Sequence, residues 1–306
     1  MKLVTRWLAS AQATDMVFVA YVAFAGILFA VFGWQLGTGP WIRLTLVHVF
    51  LVLFGLWIGA RPLRGRSVAG FIRDVYPFIF ITYLYYEIRY LAQLFSDGFN
   101  DATVQAWEQA IFDQQLAMTL SERFPYAWLS ELMHFFYASY WIMLPAAAVL
   151  MYSRGRIKGL RDLVYAEIIV FCGCYLVFIF WPVQGPHYEF PLIGGALAEG
   201  FWYNWVHWVL EDGGSKGAAF PSSHVAVAVA ILAVTWRRDR LVWAIFFPFV
   251  IGLTVSTVYG RFHYGIDALT GWLAATLFVP LAWRLAPYLR RMLRVMAGNS
   301  QTGPPV

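Results

Sequence analysis

Runs of about 20 apolar residues recur along the whole chain, and they limit its fold more than any other feature. In a bilayer core such a run is a helix, because its backbone N–H and C=O groups must be satisfied internally. Eight are read, at about 16–37, 41–60, 75–95, 128–152, 160–181, 221–236, 240–259 and 263–286. With 60% hydrophobic and 13% charged residues, the expected fold is all-α, a polytopic membrane helical bundle. About eight transmembrane helices are expected. Residues 1–74 would hold two extra helices, 75–286 a six-helix catalytic core and 287–306 a cytoplasmic tail, disordered from Gly298.

The net charge of +5 points to nucleic acid only until its distribution is read. Most basic residues fall at one side of the spans, among them Arg61, Arg64, Arg73, Arg154, Arg161, Arg237 and Arg290. The exceptions are Arg43, Arg89, Arg123, Lys216 and Arg261. By the positive-inside rule both termini are cytoplasmic, no nucleic-acid partner is implied, and a bacterial inner membrane is the expected location. Cys172 and Cys174 sit two apart in one helix and cannot bridge each other. No Cys/His cluster has zinc-like spacing, so no metal and no cofactor is expected.

Two stretches carry candidate chemistry. GAAFPSSHVAVAVA places His224 three residues after Pro221, which reads as the first position of a helix. Backbone N–H groups there, around Ser222 and Ser223, suit a phosphate. In STVYGRFHYGID, His263 and Asp267 are four apart, which on a helix puts them on one face. The carboxylate can then hold one imidazole nitrogen and leave the other free. Both stretches fall at the acid-rich, extracytoplasmic side. The outer loops 96–127 and 182–220 contain AWEQAIFDQQLAMTL and FWYNWVHWVL, readable as interfacial helices that either wall a headgroup or simply anchor to the membrane surface.

These residues resemble the type 2 phosphatidic acid phosphatase superfamily. PSSH resembles its second motif and STVYGRFHYGID its third, with Thr257 at the family's arginine position and Arg261 two residues before the histidine. That form is similar to the branch of inositol phosphorylceramide synthase and the sphingomyelin synthases. WPVQGPHYEF takes the place of the first motif, with His187 where that branch has arginine.

The resemblance implies metal-independent phosphoryl transfer through a phosphohistidine. His263 would attack phosphorus, Asp267 would steady its imidazolium, and His224 would act as general acid and then base. Arg261, Ser222, Ser223, Lys216 and His187 would bind phosphate, though Lys216 and His187 also read as ordinary loop residues. Glu87 and Arg89 lie inside a span, where charge is costly, and are candidates for a headgroup pocket. His48 and His134 read as hydrogen-bonded bundle residues, and the tyrosines at 76–90 as packing. The expected partners are a membrane lipid substrate and a lipid or alcohol acceptor. Three functions stay open: a lipid phosphatase, a phospho-headgroup transferase, and a non-catalytic lipid-binding or transport relative.

Overall fold

The computed structural model describes residues 2–62 and 66–298; the expected disorder of the tail past Gly298 lies outside them. The helices are α1 (Lys2–Ser10), α2 (Ala13–Phe32), α3 (Thr38–Gly59), α4 (Val68–Tyr86), α5 (Ile88–Gln93), α6 (Asp101–Phe112) and α7 (Leu116–Arg123). They continue with α8 (Ala127–Ser153), α9 (Ile157–Phe180), α10 (Pro186–Glu189), α11 (Phe201–Gly213), α12 (Ser223–Arg238), α13 (Arg240–Tyr259) and α14 (Gly265–Met296). Among the described residues there is no strand, and six helices are long and apolar enough to cross a membrane: α2, with its 3-10 extension to Leu36, α3, α8, α9, α13 and α14.

The other two expected spans are helical in a different form. The third is broken at Glu87 into α4 and α5. The sixth, α12, has 16 residues, or about 24 Å at 1.5 Å per residue. It is short because it is the axis of the bundle. Residues 223–232 are all buried, so it presents no lipid-facing stripe. α9, α13 and α14 pack around it, α8 packs on α13, and the α2–α3 pair lies outside against α9. Lipid is as apolar as leucine, so close contact rather than water exclusion must hold such helices together. The Val/Ala alternation of α12 permits it, and so does Gly271 of α14, where a Cβ would lie 2.6 Å from the Ser222 carbonyl.

The two ends of the bundle differ in charge. At the end holding the start of α9 and the ends of α12 and α14, ion pairs join Arg73 to Asp15 (2.6 Å), Arg161 to Asp74 (3.0 Å) and Arg154 to Asp239 (2.7 Å). α14 runs ten residues past its expected end at 286. Arg284, Arg290, Arg291 and Arg294 read as a boundary, yet all are exposed on a helix that simply continues.

Candidate active site

The start of α12 and the turn before α14 meet at the other end. Ser222 caps α12, its hydroxyl accepting from Val225 N–H at 3.3 Å, so Pro221 lies before the cap instead of at the first helical position. His224 is nevertheless in the first turn. His263 is not on a helix: α14 begins at Gly265, with Tyr264 as its cap and Asp267 in its first turn. Asp267 Oδ2 accepts from Tyr264 N–H at 2.9 Å, and this cap, not a shared helix face, brings the carboxylate to 3.4 Å from His263 Nδ1. The two starts are tied by Ser222 N–H donating to the Asp267 carbonyl at 3.0 Å.

The histidines are in contact. His263 Nδ1 lies 3.0 Å from the Ala219 carbonyl, which can only accept, so this nitrogen carries the proton. The lone pair of the neutral ring is then on Nε2, and His224 Nδ1–H donates to it across 3.2 Å. His263 is 3% exposed, and burial pushes its pKa down to about 4. At neutral pH it is an uncharged imidazole with a fixed tautomer. Backbone geometry sets its place: Phe262 N–H and His263 N–H both donate to the Thr257 carbonyl, at 3.0 and 2.9 Å.

Around the pair lies a cavity of about 40 Å³, walled in part by Tyr85, Tyr137, His187, Tyr188 and Phe262. That volume holds one to a few waters at roughly 10–15 Å³ each, not a phosphoryl group with its alcohol. The Tyr140 ring lies 4.4 Å from the His224 ring, and Phe262 stacks on Tyr137 at 3.9 Å. His187 reaches this cavity, pushed down to about 4 by burial and by neighbouring His207.

Two buried acids of α6 hold the assembly. Asp101 accepts from Gln184 N–H (2.9 Å), Gly185 N–H (2.8 Å) and Tyr264 Oη–H (3.0 Å), joining the His187 loop to the α14 cap. Glu108 accepts from Ile266 N–H and Leu116 N–H, both at 2.9 Å. The same loop pairs Val183 with Ala218 in a short parallel bridge, directly before the α12 motif. Gly185 is required there: its φ is +91°, and a Cβ would meet the Phe262 carbonyl at 3.2 Å. Neither acid announces itself in the sequence: Glu108 falls within AWEQAIFDQQLAMTL, readable as an interfacial helix, and Asp101 lies before that stretch.

Of the other expected site residues, some lie against the cavity wall and some away from it. Arg261 has a left-handed φ of 61°, and its guanidinium bonds Ser121 Oγ (3.0 Å), the Pro191 carbonyl (2.7 Å) and Glu122 (3.4 Å), away from the cavity. The Ser222 hydroxyl and N–H are both used by the fold, as above. Ser223 is the first residue of α12 and buried beside His224. Glu87 pairs with His48 at 3.1 Å, so it faces α3. Arg89 donates to the carbonyl of Gly214, a wall residue of the cavity, and lies over the Tyr86 ring. Lys216 lies 5.1 Å over the ring of Tyr188, another wall residue.

Fold and site together define a polytopic helical membrane protein with a buried histidine pair backed by a carboxylate at one end of its bundle. The description of the PAP2 superfamily matches residues 104–281, more than half of the 306, and the chain belongs to that superfamily. No curated protein and no solved structure matches it. Membership supports a phosphatase- or phosphotransferase-type function.

Proposed function

We propose that this protein is a membrane lipid phosphatase, hydrolysing a lipid phosphomonoester or pyrophosphate at the extracytoplasmic face through a phosphohistidine. The observation that supports this best is the polarity of the histidine pair. His263 offers a lone pair at Nε2, and its other nitrogen is held by Ala219 and Asp267. His224 directs an N–H at the same point.

In-line attack needs phosphorus within about 3–3.5 Å of the nucleophile and the leaving oxygen within hydrogen-bond reach of the acid. No phosphorus fits between nitrogens 3.2 Å apart. Substrate entry therefore breaks the His–His hydrogen bond and parts the rings. His263 Nε2 then takes the phosphoryl group as the bond to the leaving oxygen breaks, while His224, an imidazolium once the substrate phosphate is beside it, protonates that oxygen and is left neutral. His224 next removes a proton from the attacking water, which releases phosphate and restores His263. Lys216 and Arg89, held behind the wall residues Tyr188 and Gly214, meet the phosphate charge as that wall opens. Arg261 acts here as a brace between loops.

A second reading, transfer of a phosphoalcohol onto a lipid hydroxyl, is favoured by the aromatic share of the cavity wall (Tyr85, Tyr137, Tyr188 and Phe262), which would limit water at the phosphoenzyme. The position of Arg261 and the HYGID form of the third motif favour it too. A panel of phosphorylated lipids, scored for both free phosphate and new phospholipid, separates the two. Neither product from any lipid, with phosphoenzyme absent, would leave a binding protein.

A further inference from the structure

A larger cavity than the one at the histidines lies elsewhere. It has a volume of about 730 Å³ and lies at the basic end, between the α1–α2 junction, the start of α9 and the ends of α12 and α14. Along α12, Arg237 is thirteen residues from His224, or about 20 Å. Along α14, Arg290 is 23 residues from Asp267, or about 35 Å. The two cavities are separate.

Six cations line it: Lys158, Arg161, Arg237, Arg238, Arg290 and Arg294. Arg161 is paired with Asp74 at 3.0 Å and Arg238 with Asp162. Among the described residues, the other four have no carboxylate partner; Arg237 lies 3.9 Å over the Trp283 ring. Three separate stretches of chain thus direct unpaired positive charge at one concave volume. Basic residues serving only as a topology signal would spread to the bilayer surface. Like charges gathered around one hollow repel unless an anion is among them.

The remaining wall is mixed: Leu8, Ala13, Val234, Ala286 and Leu293 form an apolar flank beside Tyr165 and Trp283, while Ser10, Gln12, Thr14 and the already paired Asp162 are polar. α1 leads into the cavity with Leu3 and Val4 exposed next to Arg6, as in a helix lying on a membrane surface. A cationic hollow with an apolar flank, of a size that houses whole ligands, matches a lipid headgroup better than a bare ion.

We infer that this cavity binds the phosphate of an anionic phospholipid, with Lys158, Arg237, Arg290 and Arg294 as its cations. The test is native mass spectrometry on the purified full chain, titrated with phosphatidylglycerol, phosphatidylcholine or inorganic phosphate. The wild type should retain one phosphatidylglycerol and no phosphatidylcholine at equal concentration. Arg290→Gln/Arg294→Gln should weaken that binding by about tenfold or more. The control Arg61→Gln/Arg284→Gln removes the same charge outside the cavity and should bind as the wild type does. Arg290→Lys/Arg294→Lys keeps the charge and should recover most of the binding, which guards against a misfolded variant. Equal weakening in both glutamine variants would reduce the feature to surface charge and overturn the proposal. So would binding of phosphatidylcholine, or full displacement of the lipid by inorganic phosphate, which would mark the site as one for a soluble anion.

Discussion

Asp267→Asn should keep the fold and remove most of the activity. Oδ2 accepts from Tyr264 N–H at 2.9 Å and faces His263 Nδ1 at 3.4 Å, while Oδ1 has no partner among the described residues. Asparagine keeps the cap by putting its oxygen in the Oδ2 position, and its amide NH2 takes the place of the unpartnered oxygen. The cap, worth about 1 kcal/mol, survives, so the unfolding temperature should barely move. The tautomer survives as well, because the Ala219 carbonyl at 3.0 Å still takes the Nδ1 proton. What disappears is the negative charge beside a ring that turns cationic as Nε2 takes the phosphoryl group. At the observed 3.4 Å and an effective dielectric of about 20, that interaction is on the order of 5 kcal/mol. It corresponds to a loss of about 10³–10⁴-fold in the phosphorylation step. Single-turnover rates with an aryl phosphate, alongside thermal unfolding, read both quantities. An Asn variant within about tenfold of the wild type would show that Asp267 only caps α14. Unfolding far below the wild type would show that its charge is structural.

Asp101→Asn must set an amide NH2 against Gln184 N–H or Gly185 N–H, costing about 1–3 kcal/mol and loosening the His187 loop. Its kcat should fall more than its KM rises, and unchanged steady-state kinetics would refute the clamp. Arg261→Gln should lower the unfolding temperature, since buried bonds to a charged donor are worth about 1.5–3 kcal/mol, whereas a raised KM at unchanged stability would mark a phosphate ligand. With the folded pKa of His263 near 4 and its unfolded value at 6.5, the unfolded chain binds the extra proton between those values. Stability should therefore fall as pH drops from 6.5 toward 4, by on the order of 3 kcal/mol from this residue. Histidine-selective NMR, with six rings to assign, should find His263 titrating near 4; a midpoint near 6.5 would contradict its burial.

The membrane bundle was legible because apolar length is a property of one segment at a time. The histidine pair was legible because both residues sit where turn chemistry starts a helix. Detail was lost where a contact joins distant segments. Nothing around Asp101 or Glu108 shows that loops 83 and more residues away will bury them. The partner of Glu87 lies 39 residues upstream at His48. Tyr137 and Tyr140 stand among many aromatic residues of α8, and helical period alone does not say which face His224. The helix read through His263 failed because Tyr264 and Asp267 form a cap, a local arrangement that competes with simple four-residue spacing. Arg261 was read from its distance to His263, but its left-handed backbone turns the side chain toward Ser121.

The most direct test of the account is rapid-quench trapping of the phosphoenzyme with a radiolabelled substrate, followed by peptide mapping under conditions that preserve phosphohistidine. The label should reside on His263 Nε2, vanish in His263→Ala, and accumulate in His224→Ala with an aryl leaving group that needs no acid. Label on His224, or label persisting in His263→Ala, would contradict the assignment of nucleophile and acid.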